Sequence, residues 1–218
     1  MKAVIFDMDG VIFDSERMYI DCCVEAAEEF GMENIVETCH RCIGVTTEIT
    51  RAILVETYRD EELVDRFRKR TVSMFREKYD AGLLGMKTGV KELLQYLKSR
   101  GTRTAIASST ASGIVERELT EAGIREYFSC VIGGDRVRRS KPNPDIFLKA
   151  AETLGEDPSN CVVIEDSFNG IRAAKAAGMT AVMVPDQLEP DEEMRRLADR
   201  IEDSLLRVLE LCEMGELI

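Results

Sequence analysis

The chain has 218 residues, enough for one large domain or for a core domain with a smaller insert. With 44% hydrophobic and 32% charged residues, its composition is that of an ordinary globular protein and argues against disorder. The formal net charge of −12 disfavours nucleic acid and anionic membranes as partners, because their phosphates would be repelled at long range. A small phosphorylated ligand remains compatible, since one local cation and a metal ion can outweigh a distant negative surface.

The sequence also indicates where the protein works. No stretch reaches the roughly 18 consecutive apolar residues that a membrane helix needs, and the N-terminal apolar run is too short for a signal peptide. Seven scattered cysteines, an odd number, favour reduced thiols over a disulfide framework. We therefore expect a cytoplasmic protein, and nothing in the sequence requires more than a monomer.

The first elements are a strand and a long helical block. The apolar run Ala3–Phe6 predicts a buried β-strand, whereas from about Ser15 to Gly85 no comparable run appears and the pattern is helical. An all-helical block after the first strand predicts an inserted cap domain on two linkers. We expect a core domain formed by 1–14 and 86–218 and a cap domain formed by 15–85. The predicted cap helices are Met18–Phe30, Glu48–Tyr58 and Glu61–Tyr79.

After the insert, short apolar runs alternate with helical segments. The runs are almost continuously apolar, which is typical of parallel strands covered on both faces. The alternation predicts βαβ units, and hence an α/β fold with an open, doubly wound parallel sheet. The predicted strands are Thr104–Ala107, Cys130–Ile132, Cys161–Ile164 and Thr180–Val184, and the predicted helices are Val90–Ser99, Gly113–Ala122, Pro144–Leu154 and Asn169–Ala177. The last segment, Pro190 to Ile218, is predicted to form one or two amphipathic helices.

Two carboxylates follow the first strand, in the segment Phe6-Asp7-Met8-Asp9-Gly10. Placing acids at the end of a buried strand costs free energy, so their presence there indicates a function. A turn with two solvated acids also fits the pattern. In the functional interpretation, the Asp7 carboxylate attacks phosphorus to give an aspartyl phosphate. Asp9 then protonates the departing alcohol and later activates water.

Two further segments contain groups suited to phosphate. The segment Ser108-Ser109-Thr110 precedes a helix, where hydroxyls and backbone N–H groups can bind a phosphate oxygen or simply cap the helix, and Ser108 and Ser109 are the predicted phosphate-binding residues. Lys141 is flanked by Pro142 and precedes a helix that starts with proline. It is therefore a fixed cation suited to neutralise phosphate, although most lysines are simply exposed.

Adjacent acids follow another apolar strand, at Glu165 and Asp166. The carboxyl ends of strands are where open α/β sheets place their ligands, so these acids are expected to face Asp7 and Asp9. Such a cluster of like charges needs a cation, and Mg²⁺ prefers oxygen ligands. We expect the side chains of Asp7 and Asp166 and the backbone carbonyl of Asp9 on the metal. Glu165 would act through a water molecule or hold Lys141.

Together and in this order, the four segments resemble the motifs of the haloacid dehalogenase superfamily. The strings Phe6–Glu16 and Glu165–Met179 are similar to the subgroup that contains β-phosphoglucomutase and many sugar-phosphate phosphatases. The resemblance covers nearly the whole chain and implies a Rossmann-like core with a small helical cap that closes over the substrate. The roles that it implies are nucleophile for Asp7, general acid and base for Asp9, phosphoryl binding for Ser108 and Lys141, and Mg²⁺ binding for Asp7 and Asp166.

The cap differs from that of the mutases in this subgroup. They carry a His where this chain has Tyr19, and a phosphate-binding Arg where it has Thr47, next to a loop that retains Gly44. A basic side chain near Lys69 or Arg70 could substitute for that Arg. Because a mutase must hold a bisphosphate at both ends, these departures favour a phosphatase acting on a small phosphorylated metabolite, such as a sugar phosphate. A phosphohexose mutase of the β-phosphoglucomutase type is the alternative.

Other interpretations are less favoured by the sequence. A non-catalytic binding protein would usually lack one of the acids or the lysine, and a dehalogenase would not need the second Asp or the metal acids. The segment Cys39-His40-Arg41-Cys42 contains a CxxC pair, but a zinc site would require two further ligands. A redox pair of this type should follow a strand, whereas this one lies in the helical insert. Ordinary cap residues are therefore the favoured interpretation.

Overall fold

The structure is a computed structural model that describes residues 3–43, 45 and 47–218. The chain forms two compact units, Met1–Phe13 with Met86–Ile218 and, inserted between them, Asp14–Gly85. The predicted fold class, an α/β doubly wound parallel sheet with an inserted all-helical unit, is confirmed. In the described part of the chain, no helix is both long and apolar enough to cross a membrane.

Among its described residues, the inserted unit contains helices and the turns that connect them, but no strand. Its helices are α1 (Ser15–Phe30), α2 (Ile35–His40), α3 (Thr47–Tyr58) and α4 (Glu61–Asp80). The last of these shows why the segment is helical: Val64, Phe67, Thr71 and Met74 recur at helical spacing and form its buried face. The Asp60 carboxylate begins that helix by accepting a hydrogen bond from Leu63 N at 2.9 Å.

The core unit is built on a parallel sheet. Its described strands are β1 (Ala3–Phe6), β2 (Thr104–Ser108), β3 (Cys130–Gly133), β4 (Cys161–Glu165), β5 (Thr180–Met183) and β6 (Arg200–Ile201). They lie in the order β3-β2-β1-β4-β5-β6. Strands β1, β2 and β4 are buried along their whole length, which explains why their sequences are apolar runs rather than alternating patterns.

Helices connect and cover these strands. They are α5 (Val90–Ser99), α6 (Ser112–Glu121), α7 (Asp145–Leu154), α8 (Phe168–Ala176), α9 (Glu192–Leu197) and α10 (Leu205–Glu213). Helices α5 to α8 begin and end within one residue of their predicted bounds. The C-terminal segment contains two helices, as predicted, but also the short edge strand β6 between them, which was not predicted.

The register of the sheet determines which residues meet at its carboxyl edge. Phe6, the last residue of β1, is level with Ile106 on β2 and with Ile164 on β4. Asp7 therefore follows at the level of Ala107 and Glu165. The strand order reverses on either side of β1, and such a switch point is where doubly wound sheets bind their ligands.

Candidate active site

A buried ion pair joins the carboxyl end of β1 to the loop before α7. Asp7 is 6% exposed and Lys141 is 5% exposed. The Lys141 ammonium donates to Asp7 Oδ1, to Glu165 Oε1 at 2.6 Å and to the backbone carbonyl of Ala107 at 3.1 Å. The sequence also allowed Asp7 to be a solvated turn residue and Lys141 to be an exposed lysine. Because both residues are buried, neither alternative applies.

The charged residues in this group shift one another's pKa values. Burial raises the pKa of Asp7 above its usual range; the charge of Lys141 opposes this increase, and the charges of Glu165 and Asp9 add to it. Burial lowers the pKa of Lys141, but the charges of Asp7 and Glu165 outweigh this and hold it above its usual range. The lysine therefore remains a cation at the centre of the site.

Three carboxylates lie close enough together to bind one metal ion. Oxygens of Asp7, Glu165 and Asp166 are all within 4.8 Å of one another, and all three residues are buried. A Cβ atom at Gly10, whose φ is +77°, would overlap Asp166 Oδ2, so this glycine leaves the room that the carboxylate occupies. Three buried acids facing one ammonium carry excess negative charge, which fits a divalent cation with oxygen ligands.

Glu165 is held in place from the other side by the start of α8. Its Oε2 accepts from Ser167 N at 2.8 Å and from Ser167 Oγ at 3.0 Å. A side chain at Gly170 would overlap the Glu165 carboxylate, so the helix can approach it only with glycine there. With its other oxygen on Lys141, Glu165 holds the lysine, one of the two arrangements that the sequence left open.

Two hydroxyl groups contact Asp9. Ser108 Oγ donates to Asp9 Oδ2 at 3.3 Å, and Thr110 Oγ1 donates to the same oxygen at 2.9 Å. The Asp9 carboxylate thus lies with the hydroxyls and outside the group of three acids. The metal contact expected from the backbone carbonyl of Asp9 stays a prediction. Ser109, also predicted to bind phosphate, is exposed. Thr110 belongs to the predicted hydroxyl segment, but its contact with Asp9 was not predicted.

These hydroxyls do not cap α6. Its N-cap residue is Ala111, and Ser112 N and Oγ each donate to Asp135 Oδ1 at 2.7 Å. The hydrogen bond from the Ser112 backbone holds the pKa of Asp135 below its usual range. Helix capping, the alternative explanation of the small polar residues before α6, is therefore provided from the loop after β3 instead.

The predicted substrate residues of the helical unit lie in different surroundings. Tyr19, on α1, is half-buried, and its ring packs edge-to-face on Phe75 at 6.1 Å. Thr47 is exposed at the start of α3, and its backbone carbonyl accepts from Arg68 at 3.5 Å. Burial raises the pKa of Tyr19, and the charge of Arg68 acts against this increase. Gly44 lies outside the described residues.

Arg68 is therefore a cation beside Thr47, and its charge also acts on Tyr19. The two basic residues named from the sequence have other surroundings. Arg70 makes a bidentate ion pair with Glu29, at 2.8 and 2.9 Å, and Lys69 is exposed. Only the packed helix shows which of these three consecutive basic residues on α4 lies beside Thr47.

The cysteines are free thiols, as expected. Cys39 is buried and Cys42 is half-buried, and the thiol of Cys23 forms a hydrogen bond with Cys39. A metal ion can be held by several acids, cysteines or histidines that lie close together. Among the described residues, Asp7, Glu165 and Asp166 at the sheet edge form such a group. The CxxC segment belongs to no such group.

The arrangement at the sheet edge agrees with a known family. The family model described as haloacid dehalogenase-like hydrolase matches residues 4–184, a span that includes Asp7, Ser108, Lys141 and Asp166. The chain belongs to this family. The resemblance inferred from the motifs is thus confirmed, and the parallel sheet with its helical insert is the fold expected of a haloacid dehalogenase-like hydrolase.

Several curated proteins that are similar to this chain are named as phosphatases. A phosphorylated carbohydrates phosphatase from Thermotoga maritima is 35% identical over 182 residues, which cover 84% of each chain. The fructose-1-phosphate phosphatase YqaB from Escherichia coli is 34% identical over 186 residues, which cover 83% of this chain and 95% of the relative. These relatives confirm the predicted enzyme class, a phosphoric monoester hydrolase.

A solved structure shows the same fold over nearly the full length. The crystal structure of β-phosphoglucomutase from Clostridium difficile superposes with a TM-score of 0.79 and covers 99% of this chain and 97% of that one. The identity is 24%, so this likeness shows the fold alone.

Proposed function

We propose that the chain is a Mg²⁺-dependent phosphatase that hydrolyses a small phosphorylated metabolite, such as a sugar phosphate, through an aspartyl phosphate on Asp7. The observation that carries the proposal is the buried group in which Lys141 pairs with Asp7 and Glu165 while Asp166 completes a three-acid cluster. The phosphatases among the relatives, whose names include phosphorylated carbohydrates and fructose 1-phosphate, support the substrate class.

In the first half of the reaction, a carboxylate oxygen of Asp7 attacks phosphorus and forms an acyl phosphate bond while the bond to the alcohol oxygen breaks. Lys141 and the hydroxyl of Ser108 hold oxygens of the phosphoryl group. Asp9 gives its proton to the departing alcohol. When bound by Asp7, Asp166 and the carbonyl of Asp9, Mg²⁺ would offset negative charge on the carboxylates and the phosphoryl oxygens.

In the second half, water attacks the phosphorus of the aspartyl phosphate. Asp9, now a carboxylate, takes a proton from that water, and the bond between Asp7 and phosphorus breaks to release inorganic phosphate. Lys141 keeps an ammonium beside Asp7 throughout, so the carboxylate leaves next to a fixed positive charge. Asp7 and Asp9 thus serve in both steps, and Asp9 transfers a proton in opposite directions in the two steps.

The helical unit would be the cap that selects the substrate. Tyr19, Gly44 and Thr47 stay the predicted substrate residues, and we add Arg68 because it lies beside Thr47 and its charge acts on Tyr19. An arginine is suited to a phosphate or a carboxylate at the far end of a substrate. The monomeric state and the cytoplasmic location stay predictions from the sequence.

A phosphohexose mutase of the β-phosphoglucomutase type is the second candidate. The observation that favours it is Arg68, which gives the helical unit a cation at the place where Thr47 replaces the mutase arginine. A mutase would use the same phosphoenzyme but return the phosphoryl group to a second hydroxyl of the sugar instead of to water. The absence of the mutase histidine at Tyr19 argues against it.

The experiment that tests the proposal is phosphate release from a panel of sugar phosphates, nucleotides and small phosphorylated acids, with Mg²⁺ and with EDTA. Asp7→Asn is the control, because it removes the attacking charge with little change in volume. We expect release that requires both Mg²⁺ and Asp7. No release from any compound, followed by conversion of β-glucose 1-phosphate in the presence of a bisphosphate primer, would identify a mutase instead.

A further inference from the structure

The hydroxyl of Thr110 contacts the Asp9 carboxylate, although the proposed mechanism gives Thr110 no role. Thr110 Oγ1 lies 2.9 Å from Asp9 Oδ2, closer than Ser108 Oγ, which lies 3.3 Å from the same oxygen. The Thr110 distance lies within the range of about 2.5–3.0 Å that is usual for hydrogen bonds between hydroxyl and carboxylate oxygens, whereas the Ser108 distance is longer than that range. Of these two contacts with the proton-transferring carboxylate, the one from Thr110 is therefore the shorter.

Backbone contacts fix Thr110 from both sides. Its N–H donates to Ser108 Oγ at 3.0 Å, and its carbonyl accepts from Gly134 N at 3.0 Å. The carbonyl oxygen of Ser109 lies so close to Gly134 that a side chain at position 134 would clash with this oxygen. Because threonine is branched at Cβ and its χ1 is restricted, this backbone largely determines where the Thr110 hydroxyl points.

Ser108 and Thr110 differ in what else their hydroxyls do. In the proposed mechanism, the Ser108 hydroxyl binds a phosphoryl oxygen, so it cannot serve Asp9 alone while the substrate is bound. Thr110 is then the hydroxyl that keeps its contact with Asp9. Proton transfer requires donor and acceptor within about 2.6–3.2 Å, so a rotation of the Asp9 side chain would interrupt it.

We propose that Thr110 is a positioning residue that holds the Asp9 carboxyl in the orientation from which it protonates the departing alcohol. The proposal rests on the proposed phosphatase function. It predicts an effect that depends on the leaving group, because only a strongly basic leaving group requires a proton from Asp9. If Thr110 instead bound the phosphoryl group, its loss would lower kcat/KM for every substrate equally.

The test compares kcat/KM for p-nitrophenyl phosphate, phenyl phosphate and fructose 1-phosphate, all with Mg²⁺. The weakly basic p-nitrophenolate leaves without a proton, whereas phenolate and the sugar alkoxide require one. Because kcat/KM covers the steps through formation of the aspartyl phosphate, it excludes the hydrolysis step that all three substrates share. In Thr110→Val, we expect kcat/KM for phenyl phosphate and fructose 1-phosphate to fall about tenfold relative to that for p-nitrophenyl phosphate.

Three variants serve as comparisons. Thr110→Ser keeps the hydroxyl and is expected to keep the wild-type ratio between substrates. Thr120→Val removes an exposed hydroxyl on α6 that bonds to Glu116 O, and should leave all three values unchanged. Thr110→Ala also lacks the hydroxyl, so misfolding of the valine variant, detected by circular dichroism, would leave the comparison intact.

The outcomes separate the two proposals. Equal losses with all three substrates in the variants without the hydroxyl would overturn the positioning role, and so would wild-type values with all three. Failure of the wild-type chain to release phosphate from any of the three would contradict the phosphatase function itself. A loss confined to phenyl phosphate and fructose 1-phosphate, and restored in Thr110→Ser, supports Thr110 as a positioning residue.

Discussion

The Lys141 ammonium donates a hydrogen bond to the Asp7 carboxylate although 134 positions separate the two residues in the sequence. Removal of the cation would leave Asp7 and Glu165 as unpaired buried carboxylates. We therefore expect Lys141→Met to abolish phosphate release and to lower the free energy of unfolding by about 3 kcal/mol or more. Urea unfolding in EDTA measures the second effect.

The matched control for this variant is Lys149→Met, which removes an exposed lysine that pairs with Glu152 at 2.8 Å on α7. Exposed pairs of this kind contribute no more than about 1 kcal/mol, so a small change is expected. Equal destabilisation in the two variants would contradict the buried pair at the centre of the site.

Gly10 provides a test of the metal-binding acids. An alanine there would meet both a positive φ and the Asp166 carboxylate, so Gly10→Ala should displace Asp166 and weaken Mg²⁺ binding. Gly178 has a similar φ of +74° but open space around the added Cβ. Gly178→Ala should therefore cost about 1 kcal/mol of stability from backbone strain while leaving Mg²⁺ affinity unchanged. Titration calorimetry with Mg²⁺ would distinguish the two, and equal Mg²⁺ affinity in both would show that Asp166 is not a ligand.

Glu118 on α6 should make stability depend on pH. Burial, followed by the charge of Asp9, raises the pKa of Glu118 to about 7 from 4.5. Because the folded state then binds the proton more tightly than the unfolded chain, this group contributes stability that is complete below about pH 4.5 and is lost as the pH rises through about 7. Glu118→Gln cannot ionise and should lose less stability over that range, by on the order of 1 kcal/mol.

Urea unfolding at several values between pH 5 and pH 8 measures this difference. The exposed Glu126 offers a control, because Glu126→Gln should give a curve parallel to that of the wild type. A parallel curve for Glu118→Gln as well would mean that Glu118 does not titrate in this range.

Much of the fold could be predicted because the buried strands are continuous apolar runs. The helix α2 (Ile35–His40) was missed, since it has only six residues and follows Asn34, whose φ of 56° interrupts the helical pattern. Strand β6 (Arg200–Ile201) was missed because only backbone pairing with β5 defines it, and its residues are not buried.

The site was predictable to a similar degree and for related reasons. Asp7, Glu165 and Asp166 directly follow apolar runs, and parallel strands bring their carboxyl ends to one edge. The contact of Thr110 with Asp9 could not be found this way, because it depends on a loop that Gly134, from elsewhere in the chain, holds in place.

Arg68 offers a test of substrate selection. Arg68→Met should raise the KM for fructose 1-phosphate about tenfold, because a charge-assisted hydrogen bond to a group beyond the reacting phosphate would be lost. The KM for p-nitrophenyl phosphate, which lacks the sugar hydroxyls and carries only a weakly accepting nitro group, should change little. Lys69→Met, at the neighbouring exposed position, is the control and should alter neither value. An unchanged KM for fructose 1-phosphate in Arg68→Met would remove Arg68 from the substrate-selecting residues.

The most direct test of the whole account is to trap the phosphoenzyme. The chain is mixed with fructose 1-phosphate and Mg²⁺, quenched by denaturation and reduced with borohydride, which converts an aspartyl phosphate to homoserine. Peptide mass spectrometry then identifies the modified position. We expect homoserine at Asp7, in an amount that depends on substrate and is lost in Asp7→Asn. Steady phosphate release with no modification at Asp7, or with modification at Asp9 instead, would contradict it.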